Sequence, residues 1–129
     1  MIISLDYRSD IPIYLQIRNE IVKGIGTGGL KFGEQLPTVR SLAADTGVNA
    51  MTVNKAYALL KSQGYITADR RRGACVCARD AMPSIKGTGR MEQELLLLTS
   101  EAAIGGLSRD EFIKICESCY PDLTVPKPT

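Results

Sequence analysis

The sequence predicts a mainly α-helical protein with a small β-hairpin, followed by a C-terminal two-helix tail. Three observations carry this prediction. Apolar residues recur at helical spacing in three early stretches, each closed by glycine. Two short strand-like runs then flank a turn of three arginines, and a Pro- and Gly-containing stretch separates them from a Leu-rich end.

The chain has 129 residues, enough for one ordinary domain or a small domain with an appendage. Its net charge of +2 divides unevenly, residues 1–79 carrying +5 and residues 80–129 carrying −3. A basic front and an acidic back suggest that only the front meets a polyanion. Histidine and tryptophan are absent. The missing His removes the commonest general base and the commonest zinc ligand. No Ser-x-x-Lys pair or paired-carboxylate site is visible, so neither an enzyme nor a cofactor is expected. The longest strongly apolar run, Leu95 to Leu98, is far short of the roughly 20 residues a membrane span needs. The first ten residues include Asp6 and no long apolar core, so no signal peptide is expected and the expected location is the cytoplasm.

From Ile11 the chain reads as an amphipathic helix, with Pro12 in its first turn and Ile13, Ile17, Ile21 and Ile25 in one stripe. The cluster Gly24, Gly26, Gly28 and Gly29 is expected to end it. A phosphate-cradling loop is the weaker reading of these glycines, because no strand precedes them and no Gly-Lys-Ser/Thr follows. Residues 30–36 read as a connection. Thr38 is then the expected N-cap of a short second helix with Val39, Leu42 and Ala43 inward, stopped by Gly47. Asn49 caps a third helix that Gly64 ends. There Val53, Ala56, Tyr57 and Leu60 share one face, Met51, Lys55, Ala58 and Ser62 the opposite one, and Asn49, Ala50, Thr52 and Asn54 surround the start.

Two short helices joined by a tight Gly-containing turn form a helix-turn-helix pattern. Residues 65–68 and 74–77 read as strands around Asp69-Arg70-Arg71-Arg72-Gly73. A hairpin tipped with arginine directly after a helix-turn-helix is a wing. One arginine there would pass for a solvated loop; three beside a candidate recognition helix favour phosphate contact. Residues 1–79 are thus expected to form a winged helix-turn-helix domain, with 80–89 a linker.

Residues 90–104 read as a Leu- and Glu-rich helix broken at Gly105-Gly106. Ser108-Arg109-Asp110-Glu111 is a capping box, with Leu107 and Phe112 as its hydrophobic staple. The last helix presents Phe112, Ile115, Cys116 and Cys119 and stops at Pro121; residues 121–129 are expected to be a disordered end. Two such helices cannot bury both apolar faces alone, so residues 90–120 are expected to dimerise through Leu95, Leu98, Ala102, Phe112 and Ile115.

These residues resemble the GntR-type bacterial regulators. The match runs from Pro12-Ile13-Tyr14-Leu15-Gln16-Ile17 through Gly33-Glu34-Gln35-Leu36-Pro37-Thr38-Val39-Arg40-Ser41-Leu42-Ala43 to Thr52-Val53-Asn54-Lys55-Ala56-Tyr57. It ends at Gly64-Tyr65-Ile66 and Arg72-Gly73-Ala74-Cys75-Val76. The short acidic tail looks like that of the YtrA subfamily, whose members have small dimerising tails. The resemblance implies that Arg40 reaches DNA from helix two. It also places Asn49, Thr52 and Lys55 at the start and outer face of the recognition helix, and Arg72 and Gly73 at the wing tip. Some members carry Arg where this chain has Ala50 and Asn54, so their base contacts do not transfer. Many also have Glu after the helix-two arginine, where this chain has Ser41 and no completed capping box.

The expected function is that of a sequence-specific transcription regulator, with repression taken from the resemblance, binding a palindromic operator on double-stranded DNA as a homodimer. Arg40, Lys55, Arg70, Arg71 and Arg72 would hold phosphate, while Asn49, Thr52 and Asn54 reach base edges, with Met51 and Gly73 in the same surface. A tail of about 40 residues is too small to enclose a typical ligand cavity, so any small-molecule effector is expected at the dimer interface or between domain and tail. Two alternatives stand beside this reading. Cys75-x-Cys77 and Cys116-x-x-Cys119 could make a metal- or redox-sensing regulator, although the first spacing is too tight for a usual zinc knuckle and packing is the default for Cys. The other is a winged-helix protein-interaction module.

Overall fold

A computed structural model describes residues 3–123. The elements in order are α1 (Ile13–Thr27), α2 (Val39–Thr46), α3 (Ala50–Gln63), β1 (Ile66–Asp69), β2 (Gly73–Val76), a 3₁₀ turn (Arg79–Ala81), α4 (Arg90–Ile104) and α5 (Arg109–Cys119). The protein is mainly helical with one two-stranded antiparallel hairpin. Two compact units result, residues 3–83 with Asp122 and Leu123 in the first and Ser84–Pro121 in the second. Of the end expected at 121–129, residues 124–129 lie outside the described residues. No helix among the described residues is long and apolar enough to cross a membrane.

In the first unit, α1 packs on α3, α2 packs on α3, and α3 packs on β1. The core takes Ile17, Ile21 and Ile25 of the expected stripe, with Ile13 only half-buried at its edge, against Leu42, Val53, Ala56, Tyr57 and Leu60, closed by Ile66 and Val76. Local chemistry sets the ends of the helices. The Thr38 hydroxyl oxygen accepts from the Ser41 N–H, and the Asn49 side chain accepts from the Met51 N–H. Pro12 is the N-cap of α1 and not its first helical residue.

Two elements differ from the sequence reading. Helix α1 runs through Gly24 and Gly26 to a left-handed cap at Gly28. A glycine inside a helix costs only about 1 kcal/mol, and Gly24 makes room for Leu30: a Cβ there would stand 3.0 Å from Leu30 Cδ1. The connection 30–36 is also more than a loop. Leu36 N–H donates to the Ala74 carbonyl, Val76 N–H to Glu34, and Gly33 N–H to Val76. Gln35 bridges Cys75, so this stretch edges the hairpin on its β2 side.

The segment before α1 is fastened by a buried amide. Gln16 accepts from the Asp6 N–H at 2.7 Å and donates to the Asp6 and Ile11 carbonyls, both at 2.8 Å. After β2, Met82 packs against the core and Pro83 lies against Gly64, so the chain stays with the first unit beyond residue 80.

In the second unit α4 and α5 pack on each other. The capping box forms in both directions: Ser108 Oγ accepts from the Glu111 N–H, and Glu111 Oε1 from the Ser108 N–H. The Ser108 N–H donated to the carboxylate, foremost, and the Ser108 hydroxyl beside it hold the Glu111 carboxyl below its usual range. Neither helix contains a buried residue.

Candidate nucleic-acid interface

Helix α3 turns Val53, Ala56, Tyr57 and Leu60 into the core and leaves Met51, Asn54, Lys55 and Ala58 exposed. Met51 is 80% exposed, unusual for a large apolar side chain with no role at the surface. Thr52 is half-buried. The Tyr57 hydroxyl donates to the Pro37 carbonyl at 2.7 Å, tying the middle of α3 to the residue that precedes the N-cap of α2. Burial pushes the Tyr57 phenol up to about 12, so it stays a donor at neutral pH. Arg40 stands in the first turn of α2, exposed and without a hydrogen bond or ion pair among the described residues. The first turns of α2 and α3 contain no acidic residue. Their positive helix ends therefore remain open to an anion.

The hairpin pairs Asp69 with Gly73 across Arg70, Arg71 and Arg72. Asp69 Oδ1 accepts from the Arg71 and Arg72 N–H groups, at 2.7 and 3.3 Å. Those two backbone donors are the main reason its carboxyl sits below the usual range. Gly73, at φ 74°, takes the left-handed conformation that brings the chain back into β2. The three arginines do not behave alike. Arg72 donates through Nη2 to the Gly33 carbonyl at 2.9 Å. Arg70 and Arg71 are exposed, and their side chains make no hydrogen bond or ion pair among the described residues.

Other basic groups in this unit serve the fold. Arg18 donates to Gln63 and Asn19 and lies over Tyr65; Arg79 lies over Phe32; Lys23 pairs with Glu20. Lys55 has a partner that sequence reasoning missed: its ammonium lies 4.1 Å from the centroid of the Tyr14 ring, on α1. No periodicity signals such a pair, because its members come from different helices.

The cysteines divide between the units. Cys75 and Cys77 are buried at the hairpin, where burial pushes the Cys77 thiol up, whereas Cys116 and Cys119 are exposed on α5. Among the described residues no three His, Cys, Asp or Glu side chains are gathered closely enough to hold a metal ion. In the second unit Leu95 (44%), Leu98 (54%) and Ile115 (49%) are exposed, with Ala102 and Phe112 half-buried.

Comparison with known proteins matches residues 13–76 to the family model described as bacterial regulatory proteins, gntR family. An HTH-type transcriptional regulator of Mycobacterium tuberculosis is 36% identical over 59% of this chain and 63% of its own length, so the match spans less than two thirds of that relative. The HTH-type transcriptional repressor YtrA of Bacillus subtilis is 36% identical over 73% of this chain and 72% of its own length. Among solved structures, a transcriptional antiterminator from Listeria monocytogenes is 25% identical with TM-score 0.85, covering 100% of this chain and 97% of that one. AraR(DBD), solved in complex with operator ORR3, is 30% identical with TM-score 0.50 over 57% of this chain and 89% of its own.

Proposed function

This chain belongs to the gntR family of bacterial regulatory proteins, as a transcription regulator with a DNA-binding domain, and on that premise we propose that it represses transcription by occupying a palindromic operator as a homodimer. The observation that carries the reading is the wing: Arg70 and Arg71 project uncompensated charge beside an α3 whose outer face is exposed. Arg40, Lys55 and the wing arginines hold phosphate, Gly73 shaping the wing tip. Asn49, Thr52 and Asn54 face base edges, and Met51 offers an apolar contact to a thymine methyl. The Asn49 Oδ1 is occupied by the helix cap, so its amide N–H₂ is the group left for DNA.

The tails supply the dimer in this proposal. Helices with no fully buried residue in one chain, with Leu95, Leu98 and Ile115 outward and Ala102 and Phe112 only half-buried, call for a second copy over that face. The two α3 helices would then enter successive major grooves about one helical turn, roughly 34 Å, apart. AraR(DBD) bound to an operator and the name of the Bacillus repressor support this reading by analogy. The protein would work in the cytoplasm, and a small-molecule effector that loosened the contact between protomers would release it.

The test is binding of the purified protein to duplexes from its own promoter region. A footprint over an inverted repeat, with affinity falling roughly 10³–10⁵-fold between 50 and 200 mM salt for about 6–10 neutralised phosphates, is expected. Salt-independent binding, or protection of a single half-site, would remove the proposal.

A further inference from the structure

Lys55 stands on the exposed face of α3, yet its ammonium is already held, 4.1 Å from the centroid of the Tyr14 ring. Tyr14 is half-buried and packed against the core, so α1 fixes the ring independently of Lys55. The chemistry of the holder matters. Lys23 lies against a carboxylate, Glu20, which cancels its charge. An aromatic face attracts a cation through its quadrupole and leaves the net charge intact. Lys55 makes no hydrogen bond or ion pair among the described residues, so its three N–H donors remain for another acceptor. A lysine on a bare helix surface must give up rotamer freedom to seat on a phosphate, and one held in place beforehand has less to lose.

We propose that Tyr14 is a positioning residue for Lys55: its ring holds the ammonium at the outer face of α3 with its charge uncompensated, ready for a DNA phosphate. The inference rests on α3 being the DNA-facing helix, but it predicts a contact that exists without DNA.

The test uses the full chain and a mixed-sequence duplex of about 30 base pairs at low salt, since a phosphate contact needs no operator. Tyr14→Leu should weaken binding about two- to fivefold with the salt slope unchanged, and Tyr14→Phe, which keeps the ring, should bind like wild type. Lys55→Ala should flatten the slope by about 0.9 for each phosphate no longer neutralised, one from each protomer on the duplex. Adding Tyr14→Leu to Lys55→Ala should then cost nothing further. By NMR without DNA, the Lys55 ε-methylene protons should be shifted upfield by the ring, and Tyr14→Leu should abolish the shift. An equal loss in both backgrounds would make Tyr14 merely structural and overturn the proposal, as would unchanged or tighter binding by Tyr14→Leu. Absence of the upfield shift in wild-type protein would overturn it without any variant, should Tyr14→Leu fail to fold. A wild-type protein with the shift but no salt-dependent DNA binding would instead remove the DNA reading, and the role of Tyr14 with it.

Discussion

Arg72 donates through Nη2 to the Gly33 carbonyl at 2.9 Å, tying the wing to the stretch that edges β2. The three wing arginines thereby separate into one that braces the hairpin and two that are free to meet a polyanion. The brace costs Arg72 one of its five donors, and its backbone N–H is already committed to Asp69.

Arg70→Ala and Arg71→Ala should each flatten the salt dependence of DNA binding by about 0.9 in log–log slope for each phosphate no longer neutralised, on operator and unrelated DNA alike. Arg72→Ala should change the slope less and instead loosen the hairpin. Anisotropy titrations across salt concentrations, with amide exchange of Cys75 and Val76, would distinguish the two effects. Equal slope changes for all three would mean that the Gly33 hydrogen bond gives way on DNA.

Thr52→Ala and Asn54→Ala should leave the salt slope in place and shrink the preference for operator over random DNA, by about 1–3 kcal/mol for each base edge no longer read. Competition titrations with both duplexes read this ratio directly. A uniform weakening on both duplexes would move these residues to the phosphate-binding set.

Tyr57→Phe should destabilise the first unit by about 1 kcal/mol, because the Pro37 carbonyl loses its donor. The wild-type phenol is raised in the folded state from 10.0 to about 12. The stability this represents is complete below pH 10 and lost as pH rises through 12. Urea melts at pH 8 to 12 should show that fall in wild type and a smaller one in Tyr57→Phe, where the buried Cys77 thiol still contributes.

Asp69 titrates in the opposite sense. Its folded pKa lies below the unfolded one, so its hold on the wing is present above the usual carboxylate range and fades as pH falls through the lowered value. The Arg71 and Arg72 amides should lose exchange protection in acid, as Asp69 takes up its proton. In Asp69→Ala they should be unprotected at neutral pH already.

A fragment of residues 1–83 should fold, since the first unit has its own core and Met82 belongs to it. It should sediment as a monomer and lose the avidity of a full palindrome, typically about 10²–10⁴-fold. In the full chain, Leu95→Asp or Leu98→Asp should reproduce that behaviour. A fragment that remains dimeric would assign the dimer interface to the winged domains.

The helices, their caps at Thr38, Asn49 and Gly64, the capping box of Ser108 and Glu111 and the arginine-tipped hairpin were all legible in the sequence. Each depends on residues a few positions apart, where spacing alone states which groups meet. The core stripe of α1 followed for the same reason. Tertiary structure decided what depends on partners distant in the chain. Residues 34–36 show no period of their own and are held along the edge of β2. Helix α1 passes through Gly24, where Leu30, folded back from beyond the helix end, occupies the space a side chain would need. The candidate interface divided the same way: the sequence pointed to the basic residues, but a charge reads identically whether a side chain is free, like Arg71, braced, like Arg72, or seated on a ring, like Lys55. Only packing distinguishes these, because a hydrogen bond or cation–π interaction forms between groups that the fold brings together across 39 or 41 positions of chain.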